Sequence, residues 1–188
     1  MPKIVNVAER DRIVSEAAWR VMVRDGLTAL SVRNVAAEAG LPPSSLRYTF
    51  PTQASVRDSA VALLVDRMAA RVARHDDHDI AADGARAILL ELLPLDDERR
   101  VEMEVSLALG AMAATDRALW QAHQRTHLAV REACARAIVL LGADAREVAG
   151  LHALIDGLAL HLVRQSPDAG DDWALVALDA YLERLPAA

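Results

Sequence analysis

Residues 31–50 read SVRNVAAEAGLPPSSLRYTF. Ser31 stands where a helix needs a side-chain acceptor for its first free N–H groups. Val32, Val35, Ala36 and Ala39 then recur at helical spacing and predict a helix over Val32 to Ala39 with one apolar face. Gly40 tolerates the left-handed conformation that ends a helix. Leu41 and Pro42 make the turn, Pro43 suits a first helical position, and a second short helix is predicted from Pro43 to Thr49. Phe50 and Pro51 close it. Leu41 and Leu46 are placed to hold the two helices together. Two short helices around a glycine turn are the plan of a helix-turn-helix, whose first helix braces on the DNA backbone while the second enters the major groove. The same pattern fits a plain αα-hairpin inside a bundle, and the residues alone leave both open.

Outward from this stretch the pattern stays helical. Val7 to Asp25 carries Ile13, Val14, Ala17, Ala18, Val21 and Met22 on one stripe, with Asn6 as cap, Glu9 at the capping-box position and Gly26 as terminator. Thr52 caps a long helix to about Ala73, striped by Val56, Ala60, Leu63, Leu64 and Met68. The polar run HDDHD at 75–79 marks a break. Further helices are predicted over about 81–93, 97–114, 116–141, 144–165 and 171–185, separated by Pro94, Gly142 and residues 166–170. No strand pattern appears. The fold class is all-α, with a head at 1–55 and a helical body at 56–188.

Composition agrees. Of 188 residues 53% are hydrophobic and 3% aromatic, and Ala and Leu, strong helix formers, dominate. The net charge of −6 argues against nucleic acid for the chain as a whole. Residues 1–55, however, hold seven Lys/Arg and five Asp/Glu, a net +2, and leave −8 for the remainder. A basic head on an acidic body is expected if only the head touches DNA. The single cysteine, Cys134, excludes an internal disulfide framework and fits a reducing cytoplasm. A charged run, Glu9 to Arg12, follows Met1–Asn6 where a signal peptide would need an apolar stretch. No apolar run approaches the roughly 20 residues of a membrane span. No Gly-rich phosphate loop, HExxH or nucleophile elbow occurs. Asp96, Asp97 and Glu98 read as a helix N-terminal charge cluster, so no catalytic residue, metal or cofactor is assigned. The alternative to DNA binding is a non-catalytic helical adaptor.

Residues 26–50, GLTALSVRNVAAEAGLPPSSLRYTF, preceded by the IVxxAAWRV helix at 13–21, resemble the signature of the tetracycline-repressor (TetR) family. That resemblance covers about residues 9–62. It implies an N-terminal helix-turn-helix domain, a C-terminal helical domain that binds a small-molecule effector, and a homodimer that regulates transcription from a palindromic operator, mostly as a repressor released by its effector. Three positions depart from the family pattern. Pro42 stands where a small polar residue is common, Arg47 where a tyrosine is, and Gln53 where a phosphate-binding lysine is usual.

Chemistry then distributes the roles. Ser31 caps its helix and presents a hydroxyl to phosphate, and Arg33 reaches the backbone from the same turn. Pro43, Ser44, Ser45 and Arg47 should face outward because Leu46 and Phe50 face the core. Arg47 either reads guanine bidentately or grips a phosphate. Tyr48 and Thr49 are phosphate ligands, Tyr48 with partial core burial as its alternative. Gln53 donates to phosphate through backbone or side chain, and Lys3 belongs to a DNA-contacting arm or a solvated tail.

In the body, LPLDDERRVE at 93–102 and LHALIDGLALH at 151–161 resemble the subgroup related to the choline-responsive, BetI-like repressor. Choline itself is not carried over, since a quaternary ammonium wants an aromatic cage and Trp120 is the one aromatic of the central helices. The family implies dimerisation through the last two helices, with Leu151, Ile155, Leu158, Leu162, Trp173, Val176 and Leu178 as interface candidates. Met103, Leu107, Trp120, His123, His127 and His161 are effector-site candidates, with core packing as the alternative for each. His123 and His127 share a helix face, and His75 pairs with His78, but neither pair has an acidic or cysteine partner at fixed spacing. Cys134, on an apolar stretch, reads as an inert core thiol.

Overall fold

The computed structural model describes residues 7–75 and 80–186, and the side chains of all these except 7, 8, 48, 49, 118 and 167. Among the described residues there are nine α-helices and no strand: α1 Val7–Asp25, α2 Val32–Ala39, α3 Pro43–Thr49, α4 Gln53–Ala73, α5 Ala81–Leu90, α6 Asp97–Ala113, α7 Arg117–Leu140, α8 Val148–Arg164 and α9 Asp172–Leu182. Asn6 and Lys3, and with them an N-cap and an arm, lie outside the described residues, as does His78.

The first four helices have the predicted bounds because their stop signals are chemical. Ser31 Oγ accepts from the Asn34 N–H at 3.1 Å, and Thr52 Oγ1 accepts from the Ser55 N–H at 3.1 Å. Gly40 is left-handed at φ 65°. The Gly40 N–H reaches the Ala37 carbonyl at 3.2 Å and the Leu41 N–H the Ala36 carbonyl at 2.9 Å, the paired bonds of a Schellman stop.

Later helices are shorter than predicted where the chain tightens. Leu92 and Leu93 bond three residues back, to Leu89 and Leu90, so α5 ends in turns before Pro94, which disfavours helix at the preceding residue. Glu147 bonds to Asp144, whose side chain also takes the Arg146 N–H at 2.9 Å. A 3-10 turn, Ala145–Glu147, thus precedes α8. Arg184 and Leu185 likewise bond three residues back, after α9.

The chain divides into two compact units, residues 1–66 with 108–124 and residues 67–107 with 125–188. In the first, α1 packs on α2 and α2 on α3. Val14, Ala17, Ala18, Val21 and Met22 of α1 are buried, with Val35, Ala36, Leu46 and Phe50 of the next two helices. A fully buried leucine such as Leu46 contributes about 2 kcal/mol by leaving water.

The second unit has its own core, built from Met68, Val72, Ile88, Leu89, Leu93, Ile138, Leu151, Ile155, Leu158, Leu162 and Leu178 among others. Five of the dimer-interface candidates are therefore used within this chain: Leu151, Ile155, Leu158, Leu162 and Leu178 are at most 5% exposed. A side chain enclosed by its own subunit has no surface left for a partner. Trp173 and Val176, 41% and 67% exposed, are the two that do. Charge is buried here too. Glu102, 6% exposed, takes the Arg71 guanidinium in two bonds, the longer 3.0 Å, and Arg71 also meets Glu91 at 3.2 Å. Pairing of this kind makes a buried carboxylate tolerable.

Candidate nucleic-acid interface

The α3 helix is sorted by side-chain size. Leu46 is fully buried and Phe50 nearly so, while Pro43, Ser44 and Arg47 are exposed and Ser45 is half-buried. The two apolar side chains anchor one face of a seven-residue helix, which leaves the small and cationic residues on the other. Tyr48 and Thr49 lie on the last turn, their side chains outside the described ones.

The supports of this helix come from far away in sequence. The Arg10 guanidinium of α1 donates to the Ser45 carbonyl of α3. Glu38 of α2 accepts from Arg20 Nε at 2.7 Å and from Arg24 Nη1 at 2.8 Å, both on α1. The Arg20 bond first, and the Arg24 bond next, hold the Glu38 carboxyl below its ordinary range, so it stays charged. Ser15 and Ser59 join α1 to α4 through their hydroxyls at 2.6 Å. Arg12 pairs with Glu9 at 2.9 Å on the same helix.

All four arginines of α1 are thus engaged inside the unit. Arg33 and Arg47 are exposed and, among the described residues, have no ion-pair partner. These two cations are available to an external anion. Sequence reading missed Arg10 and Glu38 as bracing residues because their partners sit 35 and 14 to 18 positions away, beyond any local pattern.

The N-terminus of α2 is the second element. Ser31 Oγ spends an acceptor site on the Asn34 N–H, which leaves its own O–H to donate to a phosphate. Asn34 Nδ2 holds the Ala29 carbonyl at 2.9 Å. Gln53 also makes a contact within the unit. Its Nε2 donates to the Leu30 carbonyl at 2.6 Å, tying the start of α4 to the entry of α2. One N–H of the side-chain amide is used in bracing, which leaves its second N–H and the backbone N–H at the start of α4 for a phosphate.

The effector candidates fall in different surroundings. Met103 packs on the edge of the second unit's core, and Leu107 is half-buried. In the first unit the Trp120 and His123 rings lie 5.9 Å apart, and a Cβ on Gly110 would sit 3.2 Å from His123 Cε1. Glycine at 110 is what allows His123 to lie against α6. In the second unit His161 meets the Trp173 ring edge-on at 6.4 Å, and Trp173 Nε1 donates to Gln165 Oε1 at 3.0 Å. His127 lies beside His152, ring centres 4.6 Å apart. His123 and His127, four residues apart on α7, thus have different ring neighbours. Cys134 is fully buried, and burial pushes its thiol up to about 12, which suits an inert thiol.

Comparison with known proteins places this geometry. Residues 81–187 match the family model of the BetI-type transcriptional repressor C-terminal domain. The HTH-type transcriptional regulator PksA of Bacillus subtilis (strain 168) is 33% identical over 168 residues, which are 86% of this chain and 82% of PksA. A transcriptional regulator from Rhodococcus sp. Rha1 has a similar solved structure, with TM-score 0.78 and 27% identity over 93% of this chain and 95% of its own. The multidrug binding protein EbrR, complexed with imidazole, gives TM-score 0.70 and 26% identity over 96% and 97%. No helix among the described residues is long and apolar enough to cross a membrane. A braced helix-turn-helix with its cations outward, followed by a BetI-type C-terminal domain, makes this chain a member of the TetR family of transcriptional regulators.

Proposed function

We propose that the protein is a homodimeric repressor that binds a palindromic operator and is released from it by an organic small molecule. The observation that carries the DNA-binding part is the exposed Arg47, without an ion-pair partner among the described residues, on the outward face of an α3 anchored by Leu46. In this reading α3 lies in the major groove. Arg47 and Ser44 face base edges or flanking phosphates, with Pro43 and Ser45 alongside. Ser31, Arg33 and the α4 N-terminus at Gln53 hold the backbone, as do Tyr48 and Thr49.

Dimerisation is assigned to α8 and α9, through the exposed Trp173 and Val176 and the small exposed residues Ala149 and Ala153. Small side chains let two helices approach closely. The effector is assigned to the second unit, where Met103 packs on the edge of the core and Leu107 is half-buried. EbrR, solved with imidazole and with proflavin at 26% identity to this chain, supports an organic ligand. The repressor acts by population shift: a ligand that binds better to the form with misplaced heads lowers operator affinity.

The test is selection of bound duplexes from a random library at two salt concentrations. Enrichment of a palindrome, weakening as salt rises, is the expected outcome, because each phosphate contact releases counterions. A folded dimer that enriches no sequence at either salt rejects operator binding by the unliganded form.

A further inference from the structure

The second unit brings together three side chains whose chemistry the DNA-binding role does not use. His152 and Asp156 are one turn apart on α8, and His127 reaches them from α7. One ligand atom from each lies within 4.8 Å of the others. His152 Nε2 is 3.5 Å from Asp156 Oδ2, and the two imidazoles face each other at 41° with centres 4.6 Å apart. The His152 side chain is 7% exposed, and its Nε2 is buried without a hydrogen-bond partner. An orphaned ring nitrogen aimed at a carboxylate and a second imidazole is costly as a packing device and apt as a ligand set.

We infer that His127, His152 and Asp156 form a binding site for a borderline transition-metal dication, Zn²⁺ first among them. Two imidazoles and one carboxylate are a usual three-ligand zinc set, with water in the remaining position. Zinc bonds of roughly 2.1 Å bring tetrahedral ligand atoms to about 3.4 Å apart, so this set must close slightly. Asp156 and His127 are exposed, while His152 is buried.

Metal binding requires a neutral imidazole and an ionised carboxylate. Arg131, one turn from His127, is the unfavourable neighbour, which Asp156 offsets. Cys134, two turns from His127 on α7, offers no thiolate at neutral pH, its thiol being held at about 12. Mg²⁺ and Ca²⁺ prefer oxygen and gain little from two ring nitrogens.

The test uses untagged full-length protein, stripped by chelator and desalted, then titrated with ZnCl₂ against a chromophoric zinc indicator. The site takes one Zn²⁺ per chain, and His127→Gln and Asp156→Asn each weaken binding by about tenfold or more. Both positions are on the surface, so these variants fold even if His152→Gln does not. Saturating Zn²⁺ raises the Tm of the wild type and not of the His127→Gln/Asp156→Asn double variant, and MgCl₂ leaves both unchanged. Co²⁺ gives visible absorption bands that the double variant lacks. Failure of the wild type to compete with the indicator overturns the assignment, as does stoichiometric Zn²⁺ binding that survives intact in the double variant.

Discussion

Arg47 carries the sharpest test at the level of single residues. It is the exposed cation of α3, and its replacement separates two kinds of contact. If it reads a guanine, Arg47→Ala relaxes selection at one base position of the operator at a cost of about 1–3 kcal/mol. If it grips phosphate, affinity falls evenly over all sequences and the salt slope drops by about one unit. Library selection with the variant distinguishes them. Ser31→Ala removes the acceptor of the Asn34 N–H and lowers stability by about 1 kcal/mol in thermal unfolding. The same change removes a phosphate donor, so operator affinity falls more than the loss of stability accounts for. Cys134 is fully buried with its thiol held at about 12. A thiol reagent at pH 7.5 is expected to leave native protein unlabelled and to label one thiol per chain in guanidinium; rapid native labelling contradicts an inert thiol.

For the helices and turns, Gly40 is the position where backbone conformation decides the fold. At φ 65° a side chain is strained even though no atom lies within 4 Å of its Cβ, so Gly40→Ala costs about 1–2 kcal/mol from the backbone alone. Equilibrium denaturation, with an unchanged m-value, checks it. Turns of this kind explain what could be read in advance. Ser31, Gly40, Pro43 and Thr52 act on neighbours within a few residues, so the bounds of α1 to α4 and the outward face of α3 were legible. The frayed ends of α5 and α9 were less so, because three-back hydrogen bonding follows from tertiary constraint rather than a stop residue. The stripe of Leu151, Ile155, Leu158 and Leu162 shows the remaining limit. Periodicity tells that a helix face is covered and is silent on whether the cover is the same chain or a second one. His127, His152 and Asp156 were illegible for a related reason, since a one-turn pair on α8 gains its meaning only from a residue on α7.

Across the whole molecule, charge and association are coupled. If α8 and α9 form the proposed seam, Val176→Arg on the exposed face of α9 is expected to shift sedimentation from dimer to monomer without loss of helical signal. Operator affinity falls with it, because one head reads only half of a palindrome. A variant that remains fully dimeric removes Val176 from the seam. Ionic strength acts on a different set of bonds. In the proposed operator complex the contacts of Arg33 and Arg47 are ionic and weaken as salt rises, whereas the amide of Gln53 grips the Leu30 carbonyl with no net charge on either partner. This electroneutral latch keeps its hold in brine. The tie between the entry of α2 and the start of α4 therefore persists at high salt, where the exposed ion pairs of Arg20 and Arg24 with Glu38 weaken.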